Sequence, residues 1–240
     1  MSRPSTMNPP ELSALGERRM RAALASQGTS KAAIYRAVLA VANTIGLSGE
    51  ILDFGAGTGV LMGRLLASGF NGTVTGADML PRSAGIRDGI RWIQTDLNEP
   101  IPLAAASFDA IVSAEVIEHL ENPRAVFREF RRLLRPHGRL LLTTPNQESI
   151  RAFASLVLRG HFVDFLDGSY PAHITALVRK DFERIAAEAG FARPRFFYTD
   201  DGGVPRFPTM KWQTVSLGLL RGRLFSDNLL VLTQRDADPC

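Results

Sequence analysis

The chain has 240 residues, 45% of them hydrophobic, which suits one α/β domain with a full core. A net charge of +4 and a pI of about 9.7 are mildly basic, but the arginines carrying that charge are scattered, so a solvated surface is read ahead of an acidic or membrane-associated substrate. The single Cys240 excludes an intrachain disulfide and fits a cytoplasmic location, no apolar run reaches the ~20 residues of a membrane span, and Arg18 and Arg19 precede no apolar core of the kind an export signal needs.

Residues 1–12, with Pro4, Pro9 and Pro10, are expected to be disordered, and residues 11–45 to form one or two helices capping the sheet or covering a cofactor. The organising stretch is 51–61, ILDFGAGTGVL, read as a buried strand, a tight turn and the start of a helix over 59–68. Such a helix start, with free amides, favours an anionic ligand group. Three glycine motifs compete for the turn. A phosphate loop is excluded because no lysine lies between Lys31 and Lys180. The dinucleotide fingerprint fails in register, since its sixth position falls on Val60 or Met62. What remains is an acid, Asp53, two residues before Gly55, Gly57 and Gly59.

A second strand over 73–77 ends at Asp78, 21 residues after Gly57, where a carboxylate can take two ribose hydroxyls; the alternative is a turn or helix-cap aspartate. A third strand, 90–95, runs into Asp96 and Leu97, and a fourth, 108–113, into Ala114, Glu115, Glu118 and His119. Asn122 and Pro123 open a helix over 124–134, residues 135–138 stop it, and 139–144 form a fifth strand. Further on, 148–158 read as helix, 159–171 as a loop or lid, 179–189 as helix, and 195–199 and 229–233 as closing strands. The stretch 200–225, with Pro205, Pro208, Met210 and Trp212, reads as an insertion that faces substrate or membrane, or fills the core edge.

FDAIVSAEVIEHLENP followed by a helix and LLRPHGRLLLTTPN, behind the glycine turn, Asp78 and Asp96, resembles the class I S-adenosylmethionine (SAM) methyltransferases. The likeness is closest to the branch with the ubiquinone-biosynthesis O-methyltransferases. It covers residues 51–146, with a weaker echo over 173–191. The resemblance implies a Rossmann-like three-layer α/β sandwich with a mostly parallel seven-stranded sheet and an antiparallel last strand. It divides the chain into a start and helical cap (1–46) and a SAM-binding domain (47–240), in which 147–228 hold a substrate-facing lid or insertion.

By the same resemblance, Gly55, Ala56, Gly57 and Gly59 lie against the methionine part of SAM, and Asp53 organises that turn and the ammonium. Asp78 holds the ribose, Met79 meets the adenine, Asp96 and Leu97 frame the base, and Ala114 and Glu115 flank the methyl. The implied product is a methylated small molecule, with a quinone-like phenol or a glycan or lipid sugar as acceptor. His119 is the nearest general base for a hydroxyl, or a purely structural histidine. Glu115, Glu118 and His119 stand at i, i+3 and i+4, one face of a helical turn, and with His173 resemble the divalent-metal site of small-RNA 3′-end 2′-O-methyltransferases. Such strings are equally at home in methyltransferases without metal, and no metal is expected here. Nucleic acid is not expected either, because no RNA-binding module or basic–aromatic platform is evident. Peripheral contact with a membrane stays open. A nicotinamide oxidoreductase and a cofactor-binding protein without turnover are the competing classes.

Overall fold

The structure, a computed structural model, describes residues 14–26 and 28–237; the expected disordered start lies outside them. Helices α1 (Ala14–Ala25) and α2 (Ala32–Thr44) precede β1 (Gly49–Phe54), α3 (Val60–Ala67), β2 (Gly72–Asp78), β3 (Arg91–Gln94) and β4 (Phe108–Ala114). Then come α4 (Pro123–Leu133), β5 (Leu134–Pro145), α5 (Ile150–Arg159), α6 (Arg179–Glu188) and β6 (Arg195–Tyr198). A hairpin of β7 (Gly203–Val204) and β8 (Phe207–Lys211), a single turn α7 (Trp212–Val215) and β9 (Asn228–Gln234) complete the chain.

Seven strands form one sheet in the order β3-β2-β1-β4-β5-β9-β6. All are parallel except β9, which runs antiparallel between β5 and β6, as the sequence implied. The strands alternate their side chains between two apolar layers. Leu52, Ile111, Leu140, Leu142 and Val231 pack beneath Phe127 and Phe130 of α4 and Phe182 of α6. Ile51, Val112, Leu141 and Leu230 pack beneath α2 and α3, through Ile34, Val38, Leu61 and Leu65. Strand order reverses between β1 and β4, so the loops at their C-terminal ends diverge and leave a crevice there.

One reading is corrected. Residues 135–138 do not separate α4 from the fifth strand: β5 begins at Leu134, and 135–138 bulge within it while pairing jumps from Phe108↔Leu134 to Ala110↔Arg139. The His137 amide donates to the Arg235 carbonyl (3.1 Å) and the Arg235 amide to Gly138 (2.8 Å), so β9's continuation holds the bulge in the sheet. The stretch 200–225, read only as an insertion, contains the β7–β8 hairpin. No helix among the described residues is long and apolar enough to cross a membrane.

Candidate active site

A cavity of about 380 Å³ opens at the C-terminal ends of β1, β2 and β4, walled by the segment joining α1 to α2 and by residues 164–174. Asp53, Gly55, Ala56, Asp78, Met79, Asp96, Leu97, Ala114, Glu115 and His119 all line it. Gly57 and Gly59 do not.

The glycine turn is closed on itself. The amides of Gly55 and Ala56 donate to Ala77, that of Gly57 to Asp78 Oδ2 (2.7 Å), that of Thr58 to Gly28 (2.9 Å) and that of Gly59 to Ala56. The five amides of the turn itself, Gly55–Gly59, are thus taken within the fold. The need for glycine is steric as well. Gly55 sits at φ +80°, where a Cβ would lie 2.2 Å from a Val116 methyl. At Gly57, φ +52°, a Cβ would lie 2.2 Å from the Gly28 carbonyl oxygen. Gly57 is thus covered by the N-terminal segment rather than offered to a ligand.

Acids dominate the floor. Asp53 is buried with Oδ2 unpartnered, and its pKa is pushed up to about 7, chiefly by burial and then by the charge of Asp78, against one Met62 amide. Asp78 is also raised by burial, although it accepts from the Gly57 and Leu80 amides. Asp96 accepts from Arg19 (2.7 Å) and from the backbone and side-chain amides of Asn98. The same guanidinium reaches Glu99 (2.9 Å) and Glu121 (2.8 Å), so Arg19 latches α1 across the loops after β3 and β4.

The cluster after β4 departs from the expected helical face. Glu115 adopts φ +58°, and only Ile117–His119 form a 3₁₀ turn. Glu115 therefore swings toward β5 and β9. Thr143 Oγ1 donates to its Oε1 (2.8 Å) and Asn228 Nδ2 to its Oε2 (2.7 Å), while burial raises it to about 7 despite the Thr143 bond. Glu118 is fully buried. Thr144 donates to its Oε2 (3.2 Å), Oε1 has no partner, and burial and then Glu115 raise it well above its ordinary value.

His119 Nδ1 lies 2.7 Å from the Ala172 carbonyl, and His173 Nδ1 lies 2.5 Å from that of Asp164, with the rings 4.9 Å apart. A carbonyl only accepts, so each Nδ1 carries a proton, which in the neutral His119 ring leaves the lone pair on Nε2. Burial lowers His119 to about 4; the Ala172 carbonyl opposes this and His173 adds to it. Ligand atoms of Glu118, His119 and His173 lie within 4.8 Å of one another, and Glu115 is not in that group. Sequence reading missed Thr143, Thr144 and Asn228, although two threonines closing an apolar strand were a visible signal. Arg19 and Gly28 had none.

Residues 19–193, well over half the chain, match the methyltransferase domain family. A 158-residue stretch is 30% identical to a ubiquinone biosynthesis O-methyltransferase of Xylella fastidiosa, covering 58% of this chain and 63% of that protein. The chain spans about half to three fifths of the length of the curated relatives it matches. A SAM-dependent methyltransferase from Archaeoglobus fulgidus superposes with a TM-score of 0.61 at 13% identity, over 88% of this chain and 96% of that one. A Burkholderia thailandensis 1,6-didemethyltoxoflavin-N1-methyltransferase, solved with its substrate and S-adenosylhomocysteine, gives 0.60 at 17%, over 96% and 94%. These likenesses establish the fold. With that sheet order and the match over 19–193, the chain belongs to the methyltransferase domain family.

Proposed function

We propose that this chain binds SAM in the cavity and methylates a small-molecule hydroxyl. The observation that carries the cofactor assignment is the set of buried carboxylates without enough positive charge: Asp53 Oδ2 and Glu118 Oε1 have no partner, and Asp53 and Glu115 are held near 7. Such groups call for a cationic ligand. SAM, when bound, supplies a methyl group on a positively charged sulfonium, beside an ammonium. A nicotinamide dinucleotide brings an anionic pyrophosphate instead, which these unpartnered carboxylates would repel.

In this reading Asp53 meets the ammonium, Asp78 the ribose hydroxyls, and Met79, Asp96 and Leu97 the base. Gly55 and Ala56 line the methionine arm, while Gly57 and Gly59 act by shaping the turn. Ala114 and Glu115 stand at the reacting end. His119 Nε2 takes the acceptor's proton, with the ring oriented by the Ala172 carbonyl. The insertion between 147 and 228 shapes the acceptor side, and the wall around Tyr170 shuts out water. Oxygen as acceptor atom is supported by the His119 imidazole lining the cavity and by the curated relative's O-methyltransferase name. A quinone-like phenol leads, ahead of a sugar.

Calorimetric titration with SAM, S-adenosylhomocysteine and NAD, followed by acceptor screening, tests this. SAM-type ligands alone are expected to bind. Binding of NAD alone would sink the assignment.

The cluster of Glu118, His119 and His173 favours a second reading. Both imidazoles are fixed through Nδ1 by carbonyls and present Nε2, as metal-ligating histidines do, and Glu118 Oε1 is unspent. These three residues would hold Mg²⁺ or Mn²⁺, which lowers the pKa of a hydroxyl, and the corresponding acceptor is the 2′-hydroxyl of an RNA 3′ end. Mn²⁺ titration followed by electron paramagnetic resonance decides between the two: binding lost in His173→Ala supports the metal, and no binding leaves His119 as the base.

A further inference from the structure

The acceptor side carries apolar surface that the fold leaves uncovered. On α5, Ala152 and Ser155 face inward, while Phe153, Val157 and Leu158 are 64%, 65% and 81% exposed. After α7, Leu217 and Leu219 are 92% and 85% exposed. Leu217 is held at φ +51°, a conformation unfavourable for leucine, by the turn in which Gly218 donates to Gln213 (2.7 Å). Single apolar side chains at a surface are ordinary, but two groups of this size rooted at one end of a domain are not.

Both groups are rooted at the cavity end of the sheet. Asn146, which follows β5, donates to the carbonyls of Arg223 (2.6 Å) and Ser226 (2.8 Å), and α5 packs against the turn Arg223–Phe225. Tyr170 and Ile174 are exposed and also line the cavity.

The cations of the insertion outnumber the carboxylates beside it: Lys211 pairs with Asp201 and Arg223 with Glu148, while Arg206 and Arg221 are in no ion pair among the described residues. Residues 203–225 contain Arg206, Lys211, Arg221 and Arg223 and no aspartate or glutamate. Pairing the surface with a second copy by two-fold symmetry would bring Arg206 and Arg221 into the interface from both copies, with no acid in 203–225 to meet them. An apolar surface bordered by cations suits an anionic headgroup layer, with leucines reaching the acyl boundary.

We propose that this face docks the protein on an anionic lipid bilayer, with α5 and the 203–225 insertion at headgroup level and the cavity mouth beside them. The proposal concerns binding and is independent of the methyl acceptor.

Co-sedimentation of the full chain with phosphatidylglycerol-rich and pure phosphatidylcholine vesicles tests it. Expected is binding to the anionic vesicles at least about tenfold tighter than to the neutral ones and weakened by salt. A Leu217→Asp, Leu219→Asp double variant should lose about tenfold or more, with unfolding temperature and SAM affinity unchanged, and Arg206→Glu, Arg221→Glu should lose a similar share. Absence of wild-type binding to anionic vesicles, or equal binding by the leucine variant, overturns the proposal. So does a dimer in analytical ultracentrifugation that the leucine variant abolishes without any vesicle binding, which would assign the face to a second copy. Loss of SAM binding in the wild type would count against the cavity assignment and not against this one.

Discussion

At the end of the cavity proposed for the cofactor, under β1 and β2, the polar groups are strand-tip acids and a backbone turn whose amides are satisfied within a few dozen residues of sequence. At the other end, Glu115 is held by Thr143 and by Asn228, and Asn228 lies 113 residues away. Asp227, beside it, holds Arg151 (2.8 Å) from 76 residues away. The first end is a local, repeatable device that one glycine turn and one βαβ unit supply. The second exists only once β9 has returned to pair with β5. A family can therefore keep the former while varying the latter, which is why kinship identifies a cofactor sooner than an acceptor.

The largest effect that would sharpen this contrast is expected at His119. His119→Ala should lower turnover by about a hundredfold or more while leaving the SAM dissociation constant unchanged. A fully active variant, measured by steady-state kinetics beside calorimetry, would remove the base. Asp78→Ala tests the opposite end. Loss of a charged hydrogen-bond acceptor should weaken SAM binding about tenfold or more, and unaltered affinity would cancel the ribose role.

The pH response follows from the signs of the shifts. Asp53 and Glu115 lie near 7 when folded, against ordinary values of 3.8 and 4.5, so between about pH 4 and 7 the folded protein binds more protons than the unfolded one. Stability without ligand therefore falls as pH rises through that window. His119, at about 4 against 6.5, acts in the reverse sense between those values, so the acids are isolated by comparison with Asp53→Asn and Glu115→Gln. A cationic ligand needs the carboxylates ionised. SAM affinity should accordingly rise from about pH 6 to 8, by up to about tenfold per pH unit for each proton released, and both variants should flatten that rise. A flat wild-type profile would break the electrostatic argument.

Smaller effects are expected from the long-range partners. Asn228→Ala leaves Glu115 Oε2 without its donor and should cost about 1–3 kcal/mol of stability, a few degrees in thermal unfolding. It should also raise the KM for the acceptor more than the KM for SAM; an equal change in both would erase the division between the two ends. Arg19→Ala, which releases α1 from Asp96, Glu99 and Glu121, should speed SAM dissociation a few-fold in stopped-flow measurements while leaving the fold intact.

The parallel run and the antiparallel last strand were implied by the family resemblance, whereas the amino-acid sequence by itself determined the strands and the positions of Asp53, Asp78 and Asp96 at their tips. Each rests on a local signal: an apolar strand, then glycines or a single acid, then a helix with an apolar stripe. Tertiary structure alone decided that Gly28 covers Gly57, that Arg19 latches Asp96, and that Glu115 leaves the helical face to meet Asn228. The backbone of Glu115 turns left-handed where Thr143 and Asn228 offer a buried carboxylate its hydrogen bonds, and no spacing within EVIEHL encodes a donor 113 residues away. The same reason hid the β7–β8 hairpin, whose short strands are fixed by Gln213 and Asp227 rather than by any alternation of their own.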